Sequence, residues 1–190
     1  MANDSRAIND IYNNGLNAAY GELPSSQNML PKTGQTVSYD SGDDGEYEAG
    51  LSDDGSRFEI VNLSGDDVVI DHHTGLMWPK DFSQVDTNSS SRSWSNHLTA
   101  IAAMSFAGFG DWRMANALEA ASIIDYSNNG QTGPDYGLYD VFILPSSSWY
   151  HTATTVARLT TYSYGYYTQD SKISPVSKGT LAYAFVCRRI

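Results

Sequence analysis

The stretch Asp71-His72-His73-Thr74-Gly75-Leu76-Met77-Trp78 places a short turn between two apolar segments. The residues that lead into it, Asp67-Val68-Val69-Ile70-Asp71, are rich in β-branched side chains, which favour strands. Thr74-Gly75 is typical of a tight turn, and Leu76-Met77-Trp78 predicts another short strand after it. Because Phe58-Glu59-Ile60-Val61 also alternates, this part of the chain predicts three strands in succession, separated by turns.

Helical spacing appears in two segments further along the chain. Between residues 94 and 106, apolar side chains recur every three or four positions, which predicts a helix over 94–105 that Gly108-Phe109-Gly110 ends. Asn116 followed by Glu119 has the form of a capping box, and it predicts a second helix from 116 to about 124. From residue 126 onward, turn residues alternate with aromatic segments, which predicts strands up to a final strand over 180–188.

The N-terminal segment predicts a further helix over residues 4–20, since its large apolar residues recur at helical spacing. With 190 residues and 41% hydrophobic content, the chain is long enough for one packed domain and a short arm. We therefore expect a helical arm over residues 1–25, which packs on the domain or mediates assembly, and a ligand-binding domain over residues 26–190. The apolar residues of the arm are Ile8, Ile11, Tyr12, Leu16 and Tyr20.

The charge of the chain argues against two classes of partner. There are 22 Asp and Glu residues against 11 Lys and Arg, which gives a net charge of −11 at pH 7. Such a chain repels phosphate backbones, so we expect no nucleic-acid partner, and it contains no polybasic run that would bind an anionic membrane. No apolar stretch approaches the roughly 20 residues that span a bilayer, so we expect no membrane insertion. No signal peptide is visible at the beginning of the chain.

Few residues are of a type that supports catalysis or metal binding. Cys187 is the single cysteine and lies in an apolar segment, so we expect a buried thiol rather than a reactive one. His72 and His73 are neighbours that would point to opposite faces of a strand, which disfavours a shared metal ion. The motifs of hydrolase nucleophiles, phosphate loops and zinc proteases are absent. We therefore expect no catalytic residue, no metal site and no cofactor.

The acidic loop Asp40-Ser41-Gly42-Asp43-Asp44-Gly45-Glu46 has the composition of a calcium loop without the spacing of an EF-hand. Gly42 stands where the EF-hand pattern requires an oxygen ligand, and Leu51 stands at the twelfth position, where the pattern requires a glutamate. We expect a solvated loop. A calcium site of another kind is left open, because oxygen ligands are plentiful in this segment.

The C-terminal third of the chain concentrates its aromatic residues. Nine of the 13 tyrosines lie in residues 126–190, interleaved with Ser, Thr and Gly. Tyrosine offers a large contact area at a small entropic cost, and Ser, Thr and Gly offer adaptable hydrogen bonds, a mixture typical of binding surfaces. Consecutive tyrosines on a strand cannot all face one core, so we predict a binding surface; the alternative is a sheet whose aromatic rings pack across strands. The predicted ligand-binding residues are Trp149, Tyr150, His151, Thr152, Tyr162, Tyr164, Tyr166, Tyr167 and Asp170.

Residues 71–78 resemble the D-x-x-T-G-L-M-W signature of the family typified by the C-terminal domain of Legionella collagen-like adhesins. The segment Gly110-Asp111-Trp112-Arg113-Met114-Ala115-Asn116 is similar to the family's G-x-D-W-R-L-P-x segment, with Ala115 in place of the proline. The ending Phe185-Val186-Cys187-Arg188 resembles its closing V-R-C-V-R strand. These matches, together with residues 30–36 and 42–45, follow the order of the family along the chain.

The resemblance implies an α+β domain with a C-type-lectin-like fold, in which two helices and long ordered loops surround a small twisted antiparallel sheet. It also implies a non-catalytic recognition or adhesion domain that is extracellular, on the cell surface or on a virion. The implied partner is a protein or glycan receptor on another cell or particle. The same fold serves the variable proteins of diversity-generating retroelements, and residues 146–172 are similar in composition to their diversified segment. The Glu-Pro-Asn, Gln-Pro-Asp and Trp-Asn-Asp motifs of calcium-dependent sugar binding are absent, so no such sugar site is expected.

Two other functions are left open by the sequence. A structural tip or tail-fibre subunit of a phage or surface appendage would use residues 1–25 for assembly, and homo-oligomers would suit it. An enzyme of the formylglycine-generating kind shares the broad fold, but it resembles its relatives through catalytic cysteines, and this chain has Cys187 alone.

Three tryptophans and one ion pair are predicted to stabilise the core. We expect Trp78, Trp94 and Trp112 to be buried anchors rather than ligand contacts. Asp111 and Arg113 flank Trp112 in the sequence, and we expect them to form a structural charge pair.

Overall fold

The three strands predicted around the Thr74-Gly75 turn form one side of the first sheet in a computed structural model that describes residues 30–51, 55–127 and 136–190. The predicted arm, residues 1–25, lies outside these residues. Asp71 pairs with Phe58 on one side and with Leu76 on the other, so the three strands run antiparallel. Two later strands complete this sheet. The strands are β1 Phe58–Leu63, β2 Asp66–Asp71, β3 Leu76–Pro79, β4 Arg113–Met114 and β9 Val186–Arg189. Their order across the sheet is β1-β2-β3-β9-β4.

The second sheet is built from the tyrosine-rich part of the chain. Its strands are β5 Trp149–Thr155, β6 Tyr162–Tyr167, β7 Lys172–Ser177 and β8 Tyr183–Ala184, in the order β7-β6-β5-β8. The pairs β5–β6 and β6–β7 are antiparallel, whereas β5 and β8 run parallel. The chain passes from this sheet to the first at Phe185, between β8 and β9. Phe185 is fully buried and packs against Phe82, Tyr150 and Tyr166, so the core joins the two sheets.

The helices of the described residues are short. They are α1 Asp44–Tyr47, α2 Trp94–Ala102 and α3 Ala117–Ala121, with two 3₁₀ turns at Phe82–Gln84 and Asp86–Asn88. The capping box at α3 is confirmed, since the Asn116 carboxamide oxygen accepts from the backbone N–H of Glu119 and the Glu119 carboxylate accepts from that of Asn116. Both predicted helices end three residues early.

The predicted α+β class is confirmed, but the prediction of a single small antiparallel sheet is wrong. The described residues form two sheets, and one strand pair is parallel. The reason is the passage at Phe185, which separates the predicted final strand over 180–188 into β8 in one sheet and β9 in the other. Hydrophobic alternation alone carries no information on such a change of sheet.

The predicted core anchors are present, with one exception. Trp78 and Trp112 are buried, as is the Cys187 thiol. Trp94 is only half-buried: its indole N–H donates to the Thr152 carbonyl at 2.9 Å, and the Lys178 ammonium lies 4.0 Å from its ring centroid. Trp94 is therefore an anchor for β5 at the edge of the core.

A buried ion pair that the sequence did not reveal joins the segment before β1 to the end of β2. Arg57 and Asp71 are 1% and 0% exposed, and two parallel hydrogen bonds of 3.1 and 3.0 Å join the guanidinium to the carboxylate. The guanidinium also lies over the rings of Phe58 and Tyr139. Asp71, the first residue of the signature stretch, is thus a structural counter-ion of the core.

The predicted charge pair between Asp111 and Arg113 is wrong. Asp111 instead pairs with Arg188 through contacts of 2.7 and 3.1 Å, and Arg113 pairs with Glu119 through contacts of 2.7 and 2.6 Å. The cause is tertiary, because the pairing of β4 with β9 brings Arg188 beside Asp111, while the capping of α3 turns Glu119 back toward Arg113.

Candidate functional site

The second sheet carries eight of the nine predicted ligand-binding residues, and Asp170 lies in the turn between β6 and β7. Tyr150 pairs with Tyr166 across β5 and β6, and Trp149 pairs with Tyr167 beside them. Because neighbouring residues of a strand point to opposite faces, these two pairs lie on opposite faces of the sheet. The burial of each side chain, more than its face alone, divides the predicted residues into a buried group and a surface group.

Tyr150 and Tyr166 belong to the buried group, so their predicted place on the surface is wrong. Both are 0% exposed and their rings pack on Phe185, with centroid distances of 5.2 and 5.7 Å. Tyr150 donates its hydroxyl to the Ser146 carbonyl at 2.6 Å, and Tyr166 donates to the Tyr136 carbonyl at 2.7 Å. Burial raises the pKa of Tyr150. These two tyrosines lie inside the domain and attach the sheet to the core.

His151 and Thr152 are also fully buried, so their predicted place on the surface is wrong as well. The His151 ring bonds to the Ser163 hydroxyl and the Thr180 carbonyl, each at 3.1 Å. Thr152 donates its hydroxyl to the Tyr164 carbonyl at 2.7 Å. Both side chains are used to hold β5 against its neighbours.

The surface group consists of half-buried aromatic residues and one exposed carboxylate. The rings of Trp149 and Tyr167 stack with their centroids 4.6 Å apart. The Lys172 ammonium lies 5.9 Å from the Tyr167 ring and forms an ion pair with Asp170. Tyr162 and Tyr164 are half-buried on β6. These five predicted residues, Trp149, Tyr162, Tyr164, Tyr167 and Asp170, remain candidates for ligand contact.

Tyr164 also lines a cleft of about 980 Å³ between α3 and the β6–β7 side of the second sheet, which we call the α3 cleft. Sequence reasoning included only Tyr164 and Asp170 among its lining residues. It missed Leu118, which is the second residue of α3 and 83% exposed, and Tyr126, which is 48% exposed. The sequence signal that could have indicated this surface was a leucine in the first turn of the capped helix, at a position that faces solvent. The lining residues are Asn116, Ala117, Leu118, Ala121, Tyr126, Thr154, Tyr164, Asp170, Ser171, Lys172 and Ile173.

Several polar groups of the α3 cleft are occupied by internal bonds. The Asn116 carboxamide oxygen caps α3, and the Thr154 hydroxyl accepts from the Ala117 N–H at 3.0 Å. Asp170 and Lys172 neutralise each other at the rim. A ligand in this cleft would therefore gain most of its binding energy from apolar contact with the leucine, isoleucine and tyrosine side chains.

The histidine pair and the acidic loop take structural roles. His72 and His73 lie in the turn after β2 rather than on a strand, which corrects the expectation of opposite strand faces, and His72 contacts Glu59 at 3.0 Å. In the loop, the Asp43 carboxylate accepts from the backbone N–H groups of Tyr39 and Glu46 at 2.7 and 3.0 Å. The hydrogen bond from Tyr39 contributes most to lowering the pKa of Asp43. Within the described ranges, no three His, Cys, Asp or Glu side chains are grouped so as to hold a metal ion.

A family model described as the Lcl C-terminal domain matches residues 67–188, which is more than half of the chain. The chain belongs to this family. The match begins at β2 and ends in β9, so the Lcl C-terminal domain contains the signature turn, α2, α3 and the whole second sheet. No curated protein sequence is similar enough to the chain to count as a relative.

The family resemblance inferred from residues 71–78, 110–116 and 185–188 is therefore confirmed. The Lcl C-terminal domain family is associated with adhesin-like, non-enzymatic domains, which suggests exposure at a surface. Among the described residues, no helix combines the length and the apolar character that crossing a bilayer requires.

Proposed function

We propose that this Lcl C-terminal domain is a non-catalytic recognition domain that binds a protein or glycan receptor on another cell or particle. The proposed contact surface is the α3 cleft together with the aromatic residues Trp149, Tyr162, Tyr164 and Tyr167. The observation that carries the proposal is the division of the second sheet, in which buried tyrosines hold the strands and half-buried aromatic residues remain at the surface. A surface supported in this way is preorganised, which lowers the entropic cost of binding.

The proposed fold is C-type-lectin-like, and two observations support it. The chain combines two sheets with short helices, and long connections without regular structure join several of these elements. The tyrosine, serine and threonine content of residues 146–172 also favours a variable protein of the diversity-generating kind, whose diversified residues would be those at the surface of β5 and β6. We propose an extracellular, cell-surface or virion-surface location for such a binder, without a cofactor.

Paired substitutions test the proposed surface. Leu118→Ser and Tyr164→Ala remove apolar area from the α3 cleft, whereas Ile60→Ser removes a half-exposed apolar side chain from β1 of the other sheet. Burial of one such side chain against a ligand contributes about 1.5–3 kcal/mol. Each cleft substitution is therefore expected to weaken binding by roughly 10- to 100-fold. Thermal unfolding of all three variants shows whether the fold is retained.

Labelled domain is applied to a printed array of neutral, sialylated and sulfated glycans and to intact bacterial and mammalian cells. Binding that is lost with Leu118→Ser and Tyr164→Ala but kept with Ile60→Ser supports the proposal. Pretreatment of the bound cells with protease distinguishes a protein receptor from a glycan receptor. If both cleft variants bind as strongly as the unaltered domain, the proposed surface is wrong.

A further inference from the structure

Two buried histidines face each other between α2 and the second sheet. His97 on α2 and His151 on β5 are both 0% exposed, and their ring centroids lie 6.3 Å apart. Neither belongs to the surface group or to the α3 cleft. The pair thus occupies the interface between α2 and the strands that carry the surface aromatics.

The hydrogen bonds define which nitrogen carries the hydrogen in the neutral form of each ring. His97 donates Nε2–H to the Ala182 carbonyl at 2.8 Å, and His151 donates Nε2–H to the Thr180 carbonyl at 3.1 Å, because a carbonyl oxygen only accepts. The second nitrogen of His151 accepts from the Ser163 hydroxyl at 3.1 Å. The second nitrogen of His97 is buried without a hydrogen-bond partner in the described part of the chain. Each neutral ring fits its surroundings, and an added proton on His97 would point into a space that offers no acceptor there.

The charged groups around the pair oppose a further positive charge. Arg92, just before α2, raises the local positive potential at His97, and Lys178 lies over Trp94 at the start of α2. Among the described residues, no carboxylate contacts either ring. Burial is the main cause that lowers the pKa of both histidines, although the hydrogen bonds to the carbonyls oppose it. At His97 the nearby charges of His151 and Arg92 lower the pKa further.

We propose that His97 and His151 form an acid-sensitive contact between α2 and the second sheet, which opens when the pair takes up protons below roughly pH 6. The direction of this pH dependence follows from the linkage between proton binding and opening. The opened state binds protons at the ordinary histidine pKa, about 6.5, while the closed state resists them, so closure is fully stable above that pH and weakens as the pH falls. Each histidine that gains a proton on opening raises the opening constant by up to about tenfold per pH unit.

Ser163 connects this contact to the surface. It bonds to His151 and stands between Tyr162 and Tyr164 on β6, so opening at the pair would loosen the strand that presents both tyrosines. Release of a bound receptor at acid pH would follow. That consequence rests on the proposed function, whereas the opening itself does not.

Hydrogen exchange with mass spectrometry on the full chain at pH 7.5 and 5.5, corrected for intrinsic exchange rates, tests the opening directly. We expect the opening constants of α2 and β6 to rise by at least about tenfold at pH 5.5, while those of β2 and β3 change less. Replacement of both histidines by glutamine, His97→Gln with His151→Gln, keeps a side-chain amide donor at each position. This double variant should not show the increase in the opening constants at pH 5.5. His72→Gln, at an exposed histidine in the turn after β2, should leave it unchanged.

Equal protection of α2 and β6 at both pH values overturns the proposal, and so does an unchanged pH response in the glutamine variant. If that variant does not fold, the histidine ring resonances of the unaltered protein provide the test. His97 and His151 should then stay neutral below pH 6.5, about the ordinary pKa of histidine, because burial lowers the pKa of both rings. Ordinary titration of either buried ring in a spectrum that remains folded would overturn the proposal. The exchange result stands whether or not a receptor is found, so its failure is distinguishable from failure of the proposed function.

Discussion

The buried ion pair of Arg57 and Asp71 makes a strong prediction for the substitution Asp71→Asn. The change removes the negative charge and leaves a guanidinium that is 1% exposed without its counter-ion. The bond from Arg57 to the Ser122 carbonyl and the contacts with Phe58 and Tyr139 remain, but none of these carries a full negative charge.

Loss of one partner from a buried ion pair typically costs about 3–5 kcal/mol. Since the free energy of unfolding of such a domain is about 5–15 kcal/mol, Asp71→Asn should remove a large fraction of it. Urea denaturation at pH 7.5, monitored by circular dichroism, measures the difference in the free energy of unfolding between the variant and the unaltered protein. Asp67→Asn on the same strand is the matched control, because Asp67 is 48% exposed and lies 3.8 Å from the Lys80 ammonium. The control should lose no more than about 1 kcal/mol.

A double replacement, Arg57→Met with Asp71→Leu, distinguishes the lost attraction from the buried unpaired charge. Well-packed apolar residues often replace a buried pair at little cost, so the double variant should be more stable than Asp71→Asn alone. A loss below about 1 kcal/mol for Asp71→Asn would refute the conclusion that this pair is a dry, structural contact.

Three further predictions concern other parts of the fold. Gly165→Ala should lower the free energy of unfolding by about 1–3 kcal/mol in urea denaturation, because a Cβ there would lie 2.6 Å from a side-chain carbon of β7. Gly179→Ala should leave the free energy of unfolding nearly unchanged, because its Cβ would meet no atom closer than 3.7 Å. Burial raises the pKa of Cys187 to about 12, so iodoacetamide at pH 8 should label the folded protein far more slowly than the protein in urea. Equal labelling rates would contradict the burial of the thiol. Burial raises the pKa of Glu119, but the hydrogen bonds from Arg113 and from the cap of α3 outweigh it and lower the pKa overall. The stability that this lowered pKa contributes is present above about pH 4.5 and is lost as the pH falls through the pKa of the folded state. Arg113→Ala should therefore lower the melting temperature at pH 7 and flatten its fall between about pH 5 and 3, with receptor binding unchanged.

Local interactions could be predicted from the sequence because they depend on residues a few positions apart. The capping box of Asn116 and Glu119, the turn at Thr74-Gly75 and the three strands around it appear where the spacing predicts them. The burial of Trp78 and Cys187 follows from apolar character within these elements. The family could be recognised for the same reason, since its signature consists of such local features in a constant order.

The identity of the surface tyrosines depended on contacts between distant parts of the chain. Tyr162, Tyr164 and Tyr166 alternate along β6 and share one face, which the period of a strand predicts. Only the passage of the chain at Phe185 decides that Tyr166 is covered while Tyr164 reaches the α3 cleft. The partners of Asp71, Asp111 and Arg113 depend in the same way on how strands and caps meet in space. Sequence alone determined which residues could lie together on one face; the packing of the two sheets determined which part of that face is open to a ligand, because burial is a property of the neighbours and not of the residue.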